Sequence, residues 1–276
     1  MDEVVIYNDG TVPTEEQGGI SEPNTFLAHI LQFLETPQYS PLTVSLIIRY
    51  LRTHLFPMHP DLRHAALLKS MDLPHHLKVD DRLPYREGVV LPPRRGVKGT
   101  LVDVGMGTVH LLTETIEPYT RVTLDMSKLN ESPQHEYLTN ARIVATTDPT
   151  RVHGYYWGYT TRQASSFSTV ITECPYEGGY DFVIGTSERG TPVSGDLISS
   201  LPPFSHILVV LGGQSGLEAA AENDPELPLN SRNISDLFDW WINCVPGQGS
   251  RTIRTEEALW IVMGQFFGEF QQKGIK

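Results

Sequence analysis

The sequence is short of cysteine: Cys174 and Cys244 are its only two. Two thiols without paired spacing make neither a disulfide framework nor a zinc site, and both are expected to be reduced. Long apolar runs are lacking as well. No stretch reaches the roughly eighteen consecutive apolar residues of a membrane span, and the chain opens on acids, not on a basic and apolar signal sequence. The expectation is a soluble intracellular protein without a membrane partner, in which the sequons at Asn130 and Asn233 carry no meaning. Positive charge is also in deficit, with 21 Lys and Arg against 33 Asp and Glu and a net charge of −12. That balance works against broad attraction to a polyanion, because nucleic-acid affinity rests on cations neutralising phosphates. Only local groups remain for such a role: Arg94, Arg95 and Lys98 in one turn, Arg251 and Arg254 in another.

What is present is enough for a folded α/β protein. A chain of 276 residues can bury a sizeable core, and 23 glycines with 20 prolines imply many turns. Val4–Tyr7 reads as a buried strand closed by Asn8-Asp9-Gly10. Phe26, Leu27, Ile30, Leu31, Phe33 and Leu34 recur at helical spacing, with Asn24 or Thr25 as N-cap and Pro37 as the stop. Five short strands are expected at Gly88–Leu91, Thr100–Val104, Thr108–Leu112, Arg121–Met126 and Ala141–Ala145, the pattern of a small β-barrel of OB type. Beyond Asp148-Pro149, strands at Tyr155–Tyr159, Tyr180–Ile184, His206–Leu211 and Ile242–Val245 alternate with helices near Gln163–Thr172, Gly216–Glu222, Ile234–Trp240 and Glu256–Gln272. The barrel therefore interrupts an α/β domain.

Three glycine-bearing loops stand out in the C-terminal half. Val209-Val210-Leu211-Gly212-Gly213-Gln214-Ser215-Gly216-Leu217-Glu218 runs from a buried strand through glycines into a helix, an arrangement that lets backbone approach a ligand. It lacks the full G-x-G-x-x-G and G-x-S-x-G spacings, so neither a Rossmann dehydrogenase nor a serine hydrolase is supported, and a tight turn is the ordinary account of it. Cys244-Val245-Pro246-Gly247-Gln248-Gly249-Ser250-Arg251-Thr252-Ile253-Arg254-Thr255-Glu256-Glu257-Ala258 joins a strand to a helix that Thr255 can cap, and Arg251 and Arg254 have no evident core role there. Phe182-Val183-Ile184-Gly185-Thr186-Ser187-Glu188-Arg189-Gly190 ends a third strand in a polar loop. Loops at the strand ends of an open sheet converge where such sheets bind ligands, and the convergence outweighs each loop alone.

Other strings are read more plainly. Leu101-Val102-Asp103-Val104-Gly105-Met106-Gly107 mimics the first motif of a Rossmann-type methyltransferase, but strand pattern follows it and a β-hairpin is the better reading. His54, His59, His64, His75 and His76 match no zinc spacing, so no metal is expected. Tyr155, Tyr156, Trp157 and Tyr159 could stack on bases, although an aromatic run is more often core packing.

Taken together the chain resembles the eukaryotic and archaeal family of RNA methyltransferases that carry an OB-type insert within a SPOUT domain, a group once known as a domain of unknown function. The resemblance rests on Phe56-Pro57, Pro74-His75-His76, Arg86-Glu87-Gly88, Tyr156-Trp157-Gly158-Tyr159, Gly185–Gly190, Leu211-Gly212-Gly213 with Gly216-Leu217-Glu218, and above all Pro246–Ala258. It implies an α/β fold: a SPOUT domain with a C-terminal trefoil knot, a rare exception to unknotted chains, interrupted by a small OB-like β-barrel. Residues 1–84 and 151–276 would be the two parts of the SPOUT domain and 85–150 the insert. It further implies S-adenosylmethionine as cofactor, S-adenosylhomocysteine as product, a homodimer with pockets near the subunit interface, ribosomal RNA as partner, and a nuclear or nucleolar location. In related SPOUT enzymes the bent cofactor is held largely by backbone groups of the knot loops, which here implies Thr186, Leu211, Gly212, Gly213, Gly247, Gly249, Ile253, Thr255 and Ala258. Two features depart from the family: Ser40–Arg49 lengthens the stretch after Pro37-Gln38-Tyr39, and the basic N-terminal tail of many eukaryotic relatives is missing.

The chemistry so implied is attack of an RNA base or ribose atom on the sulfonium methyl, with the protein supplying alignment and a proton acceptor. A base in structured RNA would first be splayed out. The expected catalytic residues are Arg189, Arg251 and Arg254, positioning the target or stabilising charge, and Glu188 as proton acceptor. The rival is a ribosome-assembly or RNA-binding scaffold of the same fold that binds cofactor without efficient catalysis. Methyl transfer to purified RNA separates the two.

Overall fold

The structure, a computed structural model, describes residues 1–10, 20–37, 50–56, 58–69, 71–78, 80–128, 137–139, 141–213, 215–227 and 234–274. The segment 40–49 and both sequons fall outside the described residues. The chain forms two compact units, Met1–Val4 with Glu16–Arg162, and Val5–Glu15 with Gln163–Lys276. It passes from one to the other inside strand β1 (Glu3–Tyr7) and again inside a later strand at Thr160–Ala164.

In the first unit, helix α1 (Pro23–Glu35) is capped by Glu22 and not by Asn24 or Thr25. Pro23 has no N–H and takes the first helical position, so the orphan amides begin at Asn24 and Thr25, and the Glu22 carboxylate accepts both, at 3.1 and 2.8 Å. Thr36 precedes Pro37 and turns extended, which ends the helix as expected. A short α2 (Tyr50–Leu55) and two 3-10 turns lead to an antiparallel sheet of β2 (Tyr85–Val90), β3 (Thr100–Asp103), β4 (Val109–Leu112), β5 (Arg121–Asp125) and β6 (Arg142–Val144). Its order is β4-β3-β2-β5-β6, and a parallel bridge joins His110 of β4 to Leu138, just ahead of β6. Val90, Val102, Val104, Leu112, Val122, Leu124 and Met126 close over its interior. Gly88 is required on the central strand, since a Cβ there would lie 2.5 Å from the Val102 side chain. The segment Leu101–Gly107 forms the β3–β4 hairpin, with Gly105 and Gly107 at φ of +74° and +76°.

A buried polar cluster holds this unit together. Arg121 donates to Glu35 from Nη1 (2.6 Å) and Nη2 (3.0 Å) and to Glu87 from Nε (2.6 Å). Glu87 also accepts Thr123 Oγ1–H (2.7 Å) and Trp157 Nε1–H (2.5 Å), while His75 Nε2 lies 3.0 Å from Glu35 Oε1. Burial pushes the Glu35 carboxyl up, but His75 and Arg121 outweigh it and bring it down to about 2. The expected strand at Tyr155–Tyr159 is absent for the same reason. After α3 (Asp148–His153), Gly158 adopts φ +89°, with its missing Cβ facing Glu35 and His75, and Trp157 and Tyr159 are buried as core residues before β7 (Thr160–Ala164) begins. His75 and His76 are thus parts of a packed interior. His29, His59 and Asp61 also meet, yet buried Asp61 accepts the Ser21 N–H on Oδ1 (2.8 Å) and pairs with His29 on Oδ2 (2.5 Å), so the trio is closed by hydrogen bonds.

The second unit contains α4 (Phe167–Thr172), β8 (Phe182–Pro192), α5 (Gly195–Ser199), β9 (Ile207–Val210), α6 (Gly216–Glu222), β10 (Trp240–Asn243) and α7 (Thr255–Lys273). The strands are parallel in the order β10-β8-β9, with helices on both faces. Phe167, Val183, Val210, Leu217, Ala221, Ile234 and Phe238 pack on one face. Ile184, Leu201, Phe204, Ile242, Cys244, Val262 and Phe266 pack on the other, and the alternation of Val183 with Ile184 is the period of two that a strand covered on both sides must show. Two expected helices are shortened by strands that claim their residues. The one at Gln163–Thr172 starts at Phe167 because Gln163 and Ala164 belong to β7, and the one at Ile234–Trp240 is a 3-10 turn, Ile234–Leu237, because Trp240 pairs with Ile184.

Candidate functional site

Three segments of the second unit surround one cavity of about 350 Å³. The first is an interruption inside β8. Trp241 of β10 pairs with Gly185, but Ile242 pairs with Thr191, so residues 186–190 loop out of the ladder with no partner opposite them. The expected loop is therefore a bulge within an eleven-residue strand, not its end. Gly185 and Gly190 make this possible, since Cβ atoms there would meet the Trp241 and Phe238 rings at 2.7 and 2.8 Å and the Ile242 backbone.

The second segment follows β9. Gly212 packs so closely on the start of α6 that a Cβ would lie 2.6 Å from the Gly216 carbonyl carbon and the Leu217 nitrogen. Gly216 opens α6 at φ +80°, where an L side chain is strained. Tyr7 O–H donates to the Leu211 carbonyl (3.2 Å) and Thr186 Oγ1–H to that of Val210 (3.0 Å), fixing the loop from two sides. The third segment follows β10. Asn243 clasps it to the bulge, donating from Nδ2 to the Glu188 carbonyl (2.9 Å) and accepting Val245 N–H on Oδ1 (2.9 Å). Thr255 does not cap α7; Arg254 holds that position and Thr255 Oγ1–H instead donates to the Gly212 carbonyl (3.1 Å), tying the third segment to the second.

Of the expected cofactor residues, Thr186, Leu211, Gly212, Gly213, Ile253, Thr255 and Ala258 line the cavity, whereas Gly247 and Gly249 do not. Gly247 sits at φ +78° in the turn that begins the third segment, and a Cβ on Gly249 would meet nothing. Of the expected catalytic residues, Glu188, Arg189 and Arg251 line the cavity, while Arg254 lies outside it beside Glu256. Sequence reasoning missed Ser187, Glu218, Asn243 and Gln248 as lining groups. Glu218 is their centre: its side chain is 16% exposed, Oε1 accepts Ser187 Oγ–H at 3.0 Å, and Arg189 Nη1 stands 3.8 Å away.

The lining is mixed. Leu211, Val245, Ile253, Ala258 and Val262 offer an apolar surface, and hydroxyl, amide and backbone groups of the three segments offer hydrogen bonds. The thiol of Cys244 is pushed up to about 11 by burial, so it stays protonated and contributes as an apolar wall. A volume of this size suits a nucleoside-sized ligand, and close backbone approach is secured by glycine.

Comparison with known proteins places the chain in a family. The family described as "Putative RNA methyltransferase" matches residues 1–266. The chain belongs to this family of RNA methyltransferases. Among relatives, a human 28S rRNA (uridine-N(3))-methyltransferase is 41% identical over 270 residues, covering 95% of this chain and 67% of the relative. A Drosophila melanogaster protein of the same description is 37% identical over 277 residues, covering 95% of this chain and 54% of the relative. A Caenorhabditis elegans protein described as "Putative methyltransferase spot-1" is 33% identical over 287 residues, covering 96% of this chain and 70% of the relative. The chain thus spans between about half and 70% of the length of these relatives.

Proposed function

We propose that this chain is an S-adenosylmethionine-dependent methyltransferase acting on ribosomal RNA, at N3 of a uridine as in its relatives. The observation that carries the reading is the meeting of three glycine-bearing segments around one cavity of about 350 Å³. When bound there, S-adenosylmethionine supplies an electrophilic methyl group to a nucleophilic nitrogen. The glycine-lined backbone of Leu211–Gly213, the apolar side chains of Ile253 and Ala258, and the hydroxyls of Thr186 and Thr255 would hold it. Arg189 and Arg251, with Arg254 outside the cavity, would meet phosphates or the target base, and Glu188 and Glu218 are the carboxylates of the lining that could take a departing proton.

The fold reading behind this proposal is a SPOUT domain with a C-terminal knot. The parallel order β10-β8-β9 and the return of Thr255 to the Gly212 carbonyl support it. We read 85–150 as an OB-like barrel, supported by five antiparallel strands and by the parallel bridge from outer strand β4 at His110 to Leu138, ahead of β6. A homodimer fits the outer face of α7, where Trp260 is 80% and Phe267 62% exposed, and Gly264 and Gly268 beside them leave open room for a close partner. A nuclear or nucleolar location follows from the substrate. The direct test is transfer of labelled methyl from S-adenosylmethionine to unmodified 28S rRNA transcript, with the product mapped by mass spectrometry. Label on a uridine is expected; a chain that binds S-adenosylhomocysteine yet labels no rRNA would overturn the proposal.

A further inference from the structure

The cavity holds one carboxylate that is anchored on one oxygen and open on the other. Ser187 Oγ–H donates to Glu218 Oε1 at 3.0 Å, and Ser187 Oγ accepts the Arg189 N–H at 3.1 Å, so the bulge of β8 and the first turn of α6 are knitted through this oxygen. Oε2 has no hydrogen-bond partner among the described residues. It lies over Gly216, where a Cβ would come within 2.7 Å, so glycine is what leaves room for it. Oε2 is not sealed in, so a donor that enters the cavity can reach it. Arg189, 3.8 Å from the same carboxylate and with its side chain 69% exposed, reaches from this point into the open part of the site.

We propose that Glu218, not Glu188, takes the proton from the target base, and that Glu218 and Arg189 together read its Watson–Crick edge. This rests on the uridine-N3 reading above. Uracil presents an N3–H donor flanked by two carbonyl acceptors. A carboxylate opposite N3 accepts that hydrogen, an adjacent guanidinium donates to a flanking carbonyl, and cytosine, which carries an acceptor at N3, is repelled. As the base reacts, the N3–H bond breaks and an O–H bond forms on Glu218 Oε2. The electron pair left on N3 forms the new N–C bond, and the pair of the broken C–S bond stays on sulfur as the thioether of S-adenosylhomocysteine. Arg189 offsets the negative charge that gathers on the carbonyl oxygen as the proton leaves. Glu188 is less suited: its side chain is exposed, and Asn243 holds it through its backbone carbonyl.

The test uses the full chain and its Glu218→Gln variant, with calorimetric titration of S-adenosylhomocysteine and methyl transfer to 28S rRNA transcript from pH 7 to 9. The variant is expected to keep its affinity for S-adenosylhomocysteine and to lose about 100-fold in turnover at pH 7. Its rate should then climb about tenfold per pH unit as hydroxide replaces the carboxylate, and Glu218→Asp should recover part of the loss. Loss of S-adenosylhomocysteine binding would assign Glu218 to the cofactor and overturn the proposal, as would full turnover in Glu218→Gln, a pH-independent loss, or the pH-dependent loss appearing in Glu188→Gln instead. A wild type that methylates no rRNA would sink the function reading and this inference with it. An active wild type with an unimpaired variant would sink the inference alone.

Discussion

The Glu35–Glu87–Arg121 cluster of the first unit and the Glu218 site of the second treat their carboxylates in opposite ways. In the first, both carboxylates are tied to partners on each oxygen, Glu35 by Arg121 and His75 and Glu87 by Arg121, Thr123 and Trp157, and both are buried. In the second, Glu218 is satisfied on one oxygen only, and the carboxylates and guanidiniums around the cavity remain exposed to whatever enters. Closed charge clusters specify a fold at the expense of desolvation, while half-satisfied ones wait for a ligand. Both contain Glu and Arg, so the presence of those charges alone does not distinguish them.

Removing the keystone of the closed cluster should have the largest effect. Arg121→Ala leaves Glu35 and Glu87 buried without their counter-ion and is expected to lower unfolding free energy by about 3 to 5 kcal/mol in urea titration. Because the cluster belongs to the first unit, the protein that remains folded should bind S-adenosylhomocysteine as before; a lost affinity without lost stability would break the comparison. Next comes Gly212→Ala, whose new methyl meets backbone at 2.6 Å. It should weaken S-adenosylhomocysteine binding at least tenfold, roughly 1.4 kcal/mol, and wild-type affinity would show that this close approach does not shape the pocket.

Acid offers a gentler probe. His76 and His110 are pushed down to about 4, chiefly by burial, so the unfolded chain binds more protons than the folded one below the ordinary histidine value of about 6.5. Stability should therefore decline as pH falls from about 6.5 through 4, and decline further below about 4.5 as protonation of Glu35 becomes favourable in the unfolded chain. A flat unfolding free energy between pH 7 and 4 would contradict the burial of these groups. The smallest effect is expected at the exposed pair Arg142–Asp125, 3.2 Å apart, where Arg142→Ala should cost less than about 1 kcal/mol by the same titration.

Much of this was legible in the chain because local signals and tertiary demands agreed. The strands of the five-stranded sheet and helix α6 fell within a few residues of their expected places, since alternating apolar runs and bounding glycines act locally. The expected strand at Tyr155–Tyr159 failed because Gly158 is locked at positive φ against Glu35 and His75, partners more than eighty residues away from it. The glycines of the cavity were visible as strand-to-loop punctuation. Glu218 was not picked out, because its meaning depends on a bulge in β8 that appears only when the β8–β10 register is known. Neither Ser187 nor Glu218 carries a local sign that the two will meet.

The central claim is that the cavity between β8, β9 and β10 is where S-adenosylmethionine binds. Calorimetric titration of S-adenosylhomocysteine into the wild type and into Ala258→Trp, which fills the cavity from α7, tests it most directly. The account predicts one site per chain of micromolar affinity in the wild type, abolished in a variant that still unfolds cooperatively. Equal affinity in both proteins would contradict it.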